Sequence, residues 1–166
     1  MEQNRSDLTL RVGSIADESV GRVIPDTSVA EVAQTMVAQT KCARYVVVEE
    51  NDQLVGIITD RDLIGALLTP DSEFNVLATD QSESNITAGD VMTSDPLTVT
   101  PEAEVPRVLR QMNEAAARHV PVVEDGSVVG IVTLDDLITH LAGEAAHVSA
   151  QMENLSGIIR SESQRK

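Results

Sequence analysis

Leu54-Val-Gly-Ile-Ile-Thr-Asp-Arg-Asp-Leu63 recurs 74 residues later as Val128-Val-Gly-Ile-Val-Thr-Leu-Asp-Asp-Leu137. In each copy an apolar run rich in β-branched residues passes a glycine, reaches Thr-x-x-Asp and continues at helical spacing. Each copy is therefore a strand that turns sharply into a helix start.

The echo extends outward in both directions. Gly13, Val23, Pro25 and Met36 are matched at a constant offset of 76 by Gly89, Val99, Pro101 and Met112. Two residues are lost after Met112, and from there Arg118–Leu137 aligns with Arg44–Leu63 without a gap, ten of the twenty positions being identical. A repeat this close predicts two similar units related by a pseudo-twofold axis. Within the first, Val29, Val32, Ala33, Met36 and Val37 form one helical face, and Ser28 with Glu31 makes a capping box at its start. Arg44–Val48 and Leu54–Ile58 read as strands around the turn Glu50–Gln53, and a helix follows from about Asp60 to Leu68. The expected architecture is mixed α/β (α+β), with two β-α-β-β-α repeats packed sheet to sheet. Val46, Val48, Ile57 and Ile58 are expected to bury against Val120, Val122, Ile131 and Val132, since a unit of about 55 residues has too small a core to stand alone.

The division that follows is a flexible N-terminus over 1–11, repeats over 12–68 and 88–142 joined by a polar linker over 69–87, and a C-terminal amphipathic helix and tail over 143–166. In that last segment Leu141, Ala145, Val148, Met152, Leu155 and Ile159 keep a 4-3-4-3-4 spacing, the seam of a helix that needs a partner. Two placements fit: across a homodimer, or back on its own domain.

Composition narrows the function. Twenty-seven acidic against twelve basic residues leave a net charge of −15, and Tyr45 and Phe74 are the only aromatic residues. Such a chain repels phosphate backbones and anionic membranes as a whole and has no stacking platform for bases, so neither nucleic acid nor a membrane is an expected partner. The ten Arg against two Lys on an acidic background resemble the surface of a protein from a salt-loving archaeon; an ordinary acidic cytosolic protein is the other source that fits. Cys42 is alone, no run of eighteen apolar residues occurs and the first residues lack a signal-peptide core, which points to the cytoplasm.

Thr59 and Thr133 sit at N-cap positions with Asp62 and Asp136 at N3, so each pair can serve simply as a capping box. A carboxylate at such a turn is also suited to accept two hydrogen bonds from a vicinal diol, with the threonine hydroxyl and neighbouring N–H groups left for a ribose or phosphate oxygen. Gly56 and Gly130, three residues before the caps, are expected to clear space for whatever approaches the turn. No nucleophile with a base, metal cage or tuned carboxylate pair is assembled. His119 aligns with Tyr45, as at a shared packing or pocket-rim position. His140 and His147 have no recurring ligand partners, and Asp135 and Asp136 are adjacent on a helix and diverge. Cys42 fits a small buried hydrophobe.

Taken together, the doubled Gly-h-h-Thr-x-x-Asp, Gly13-Ser-Ile and Gly89-Asp-Val-Met, Pro25-Asp-Thr-Ser-Val and Pro101-Glu-Ala-Glu-Val, and Arg118-His-Val-Pro-Val resemble a tandem pair of CBS domains, the module named after cystathionine β-synthase, from about Gly13 to Leu141. The resemblance implies two inter-repeat clefts that bind AMP, ADP, ATP or S-adenosylmethionine, with no obligatory cofactor or metal and no catalysis. By matching positions it puts Asp136 and Thr133 on the ribose of one cleft, Arg118 near the phosphate, and Ser14, Ile15 and Ala43 beside the adenine. Asp62 and Thr59 serve the other, with Arg44 at the phosphate and Asp90, Val91 and Ala117 by the base. Arg61 stands where the second copy has Asp135, so the Asp62 cleft is expected to favour phosphate. Two functions fit: a regulatory module, homodimeric, that senses an adenosine-containing small molecule and signals to an unidentified effector protein, or a CBS dimerisation scaffold that binds no nucleotide.

Overall fold

The computed structural model describes residues 10–38, 44–75 and 86–163, with side chains through residue 153. Cys42, Ala43, the side chains of Leu155 and Ile159, and most of the N-terminal and linker segments lie outside that set.

The first unit follows the expected order. Strand β1 (Arg22–Val23) leads to helix α1 (Val29–Ala38), strands β2 (Tyr45–Glu50) and β3 (Gln53–Thr59), and helix α2 (Asp60–Leu68). The second gives α3 (Ala88–Val91), β4 (Thr93–Ser94), α4 (Val105–Glu114), β5 (His119–Glu124), β6 (Ser127–Thr133) and α5 (Leu134–Ser163). Ser28 Oγ accepts from Glu31 N at 3.3 Å and Ser28 N donates to Glu31 Oε2 at 3.3 Å, so the reciprocal box starts α1. Both hairpins close through two residues at positive φ, Asn51 and Asp52 in one and Asp125 and Gly126 in the other, as tight turns matched to strand twist require.

Parallel β1 and antiparallel β3 flank β2, and β4 extends the far side, giving the order β1-β2-β3-β4. The strand β4 comes from the opening of the second unit. The second sheet repeats the plan in reduced form: Val99 bridges Val122 in parallel and Asp17, from the opening of the first unit, bridges Ile131 antiparallel. The openings are thus exchanged. Gly13 N donates to Pro101 O at 2.9 Å, and its equivalent Gly89 N donates to Pro25 O at 2.9 Å. The cores follow suit, because Val12 is buried among Val99, Val105, Val108 and Leu137, and Ala88 among Val23, Val32 and Ile58.

Sheet packing differs from the expected eight-residue contact. Successive strand residues face opposite sides, so Val46, Val48 and Ile58 enter the core beneath the helices of the first unit, and Val120, Val122 and Val132 that of the second. Ile57 and Ile131 meet between the sheets, joined by Tyr45 and Val20. At the opposite end, Ser127 Oγ donates to Asp52 O at 2.9 Å and Leu54 N to Gly126 O at 3.2 Å, tying the two hairpin turns together.

The glycines before the motifs have a use other than the expected one. A Cβ on Gly56 would lie 2.5 Å from Met92 Sδ, and one on Gly130 would lie 3.1 Å from Ala16 Cβ and Asp17 O. They leave room for the exchanged openings, not for a ligand at the turn.

The helix α5 runs through Gly143 without interruption and does not return to the domain over its described side chains: residues 138–153 are exposed. No helix among the described residues is long and apolar enough to cross a membrane.

Candidate functional site

Both Thr-x-x-Asp motifs form the boxes their spacing predicts. Thr59 N donates to Asp62 Oδ2 at 2.8 Å, Thr59 Oγ1 donates to the same oxygen at 2.8 Å, and Asp62 N donates back to Thr59 Oγ1 at 3.2 Å. In the second unit the corresponding distances are 3.3, 2.6 and 3.1 Å. All the carboxylate's bonds within each box fall on Oδ2, so Oδ1 takes no part in the cap. A single aspartate can therefore start a helix and still present an acceptor to a ligand. A third box, Thr87 with Asp90, starts α3, with Thr87 N donating to Asp90 Oδ2 at 2.9 Å. The sequence signal for it, Thr87-Ala-Gly-Asp90, is the same motif without the preceding apolar strand.

The two strand-to-helix turns open into one continuous cleft of about 1650 Å³, where two separate clefts were expected. It unites Arg44, Thr59, Arg61 and Asp62 of the first unit with Ala117, Arg118, Thr133 and Asp136 of the second. The merger has a local cause. Tyr45 lies across the ladder from Thr59 and His119 from Thr133, and the Tyr45 and His119 rings meet with centroids 5.2 Å apart at 51°. The aligned pair is thus the shared floor between the two turns, a packing position within the cleft.

Four expected residues lie elsewhere. Ile15 joins Asp136 in a neighbouring groove beside α5, Ser14 donates to Arg11 O at 2.8 Å, Asp90 is the capping acid of α3, and Val91 packs against the first core. The walls that sequence reasoning missed are Asp17–Gly21 and Thr93–Leu97, the exchanged openings, in which Ser94 is the one residue absent from the lining. Their common offset of 76 was the available signal.

Charge within the cleft is uneven. Asp17, Glu18, Asp60, Asp62, Asp95, Asp135 and Asp136 face three guanidiniums, Arg44, Arg61 and Arg118. An anion is therefore held by particular arginines against a repulsive background. Arg44 pairs with Asp60 at 3.7 Å and Arg118 with Asp135 at 3.9 Å, whereas Arg61 enters no ion pair among the described residues.

Burial pushes the Tyr45 hydroxyl up to about 12, and Asp17 and Asp136 add to the shift. Burial also lowers the His119 pKa, with Arg118 acting in the same direction and Asp60, Asp135 and Asp136 opposing it. Because the folded state holds His119 neutral at a pH where the unfolded chain begins to protonate it, its contribution is complete above the unfolded pKa of about 6.5 and is lost as pH falls from there through the lower folded value. The melting temperature is expected to fall as the pH drops below about 6.5, and His119→Gln to flatten that fall. An unchanged slope in the variant would assign the dependence to other groups.

Comparison with known proteins gives a consistent result. The CBS domain family model matches residues 12–69 and 88–143. The mitochondrial CBS domain-containing protein CBSX3 of Arabidopsis thaliana is 30% identical over 143 residues, covering 84% of this chain and 65% of its own length. An uncharacterized protein of Methanopyrus kandleri is 29% identical, covering 78% and 62%. This chain spans less than two thirds of either relative's length. Among solved structures, the CBS-pair protein CBSX2 of Arabidopsis thaliana superposes with a TM-score of 0.68 at 25% identity, covering 83% of this chain and 98% of that one. A structure of CBSX2 in complex with AMP gives 0.64 at 28% identity, covering 80% and 97%.

Proposed function

The chain belongs to the CBS-domain family, as a tandem pair, and from that premise we propose that it is a regulatory module that senses an adenosine-containing ligand. It binds AMP, ADP, ATP or S-adenosylmethionine between the units, undergoes no chemistry, and transmits occupancy to an effector protein. One observation carries the proposal: the two Thr-Asp boxes, each with an unused carboxylate oxygen, lie in one cleft with arginines from both units. A ribose suits such an acceptor, and the AMP complex of the similar CBSX2 supports adenosine as the base-bearing ligand. A ligand that contacts both units moves them only to the extent that it binds one arrangement better than another. The hairpin-turn contact at Asp52 and Gly126 lies away from the cleft and is suited to act as the fixed end of such a motion.

The scaffold alternative has its own support, since both boxes already complete a structural task as caps. Thermal unfolding with adenosine ligands at low and high salt separates the two. A ligand at about 100 times its Kd adds about 2.7 kcal/mol to the folded state, which for a domain of this size raises the melting temperature by about 5–10 °C. Binding is expected to tighten for AMP when salt screens the cleft's carboxylates. A folded chain whose melting point no adenosine compound moves would be the scaffold.

A further inference from the structure

The two halves of the cleft share a floor whose two rings differ in chemistry. Tyr45 and His119 occupy equivalent places in the repeats, each opposite the motif threonine of its own hairpin, and their rings meet at 5.2 Å. Tyr45 is buried, whereas His119 is half-buried and lines the cleft. A phenol cannot take up a positive charge, and an imidazole can do so near neutral pH. The repeat is thus unlike itself at the one place where its two copies touch across the cleft floor.

Two of the three guanidiniums in the cleft are already engaged, Arg44 by Asp60 at 3.7 Å and Arg118 by Asp135 at 3.9 Å. His119 is the fourth basic side chain of the lining. Burial, the strongest influence on it, and the adjoining Arg118 disfavour its proton, whereas Asp60 at the start of α2 and Asp135 and Asp136 at the start of α5 favour it. A phosphate entering the cleft adds negative charge beside a ring that three carboxylates from both units already press toward protonation. The balance then turns, and the imidazolium becomes a further charged donor to the anion.

We infer that His119 is an anion contact that ligand binding switches on: phosphate-bearing ligands enter with uptake of a proton from solvent at its imidazole and bind more tightly as the pH falls, whereas uncharged adenosine binds without it. This rests on the adenosine reading of the cleft and adds to it a pH response confined to the phosphate-bearing ligands. At high pH the ring is neutral with or without phosphate, and affinity is flat. As pH falls, the liganded form is protonated first and affinity climbs, until the unliganded form is protonated too.

Titration calorimetry of AMP into the full chain, repeated in buffers of different ionisation enthalpy, reads the protons taken up. The AMP phosphate itself titrates near pH of about 6, so the comparison is with His119→Gln, in which that contribution is retained. Circular dichroism checks that the variant is folded. Between about pH 8 and 5.5, AMP affinity is expected to rise about tenfold more in the full chain than in the variant, the size of one charge contact between the limits for bulk water and a protein surface. Proton uptake per AMP is expected to be larger in the full chain, and adenosine to show neither difference. In the full chain alone, the His119 imidazole resonances are expected to titrate at higher pH with AMP bound than without it, unlike those of His140 and His147, which line the neighbouring groove. AMP that binds with the same pH dependence in chain and variant, or a His119 that titrates at the same pH in both states, overturns the inference and leaves the adenosine reading standing. If neither AMP nor adenosine binds at any pH, both fall together.

Discussion

Asp62→Ala is expected to abolish the tighter class of AMP binding, while Asp136→Ala leaves that class in place. Hydrogen bonds to a charged acceptor are worth about 1.5–3 kcal/mol, so losing the ribose clamp costs roughly 10–150-fold in affinity at whichever site loses it. The two sites start unequal because of the residue next to the clamp. Arg61 and Asp135 occupy equivalent positions in the first turns of α2 and α5, where the helix N-terminus favours an anion to the same extent. A unit charge about 4 Å from a phosphate contributes about 1 kcal/mol in water and more in a partly desolvated cleft. Reversing its sign therefore separates the sites by at least about 2 kcal/mol, roughly 30-fold.

The ion pairs widen the gap. Arg118 is engaged by Asp135, so the second unit both adds a repulsive charge and occupies its own guanidinium. In the first unit Arg44 is held by Asp60, which leaves Arg61 to meet the phosphate. Titration calorimetry of AMP into both variants decides, and a larger loss from Asp136→Ala would contradict this assignment of the charges. Each substitution also removes a cap worth about 1 kcal/mol of stability. Both variants should therefore lose similar melting temperature, and a difference in binding cannot be ascribed to unfolding of one of them.

Local signals in the sequence carried most of the secondary structure and of the two Thr-Asp boxes. Ser28 with Glu31, Thr59 with Asp62 and Thr133 with Asp136 fix their helix starts through contacts three residues apart, and such contacts are visible in any short window. The exchange of openings was hidden because β4 has two residues and its counterpart at Asp17 makes a single bridge. A strand that short has no period to detect, and its partner is distant in the chain. The same gap misassigned the glycines: an alignment shows that Gly56 and Gly130 correspond, not what passes over them. Merging of the clefts followed from Tyr45 and His119 lying side by side, a contact between units that an offset within the repeat does not report. The single helix from Leu134 to Ser163 was obscured by Gly143, a residue of low helix propensity whose cost a long helix absorbs.

The exchanged openings make glycine substitutions unequal in a way that intrinsic propensity does not predict. A Cβ on Gly13 would stand 2.9 Å from both Pro101 Cβ and Pro101 O, so the first opening would have to leave the backbone it is bonded to. Gly13→Ala is expected to cost about 1–3 kcal/mol, the range for overpacking a filled site. At Gly130 the neighbours are again the exchanged chain, but at 3.1 Å, and a displacement of a few tenths of an ångström relieves the contact, so the cost is lower. At Gly56 the shortest approach is to Met92 Sδ, the far part of a flexible side chain, although Thr93 O stands at 3.1 Å, which again gives a smaller loss than at Gly13. Gly65 lies inside α2, where an added Cβ would meet nothing within 4 Å, and the sign reverses: Gly65→Ala is expected to stabilise by about 0.5–1 kcal/mol. Urea unfolding midpoints of the four variants give the order. If Gly13→Ala proved as harmless as Gly65→Ala, the first opening would not be seated against the second unit, and with it would go the wall that Asp17–Gly21 contributes to the cleft.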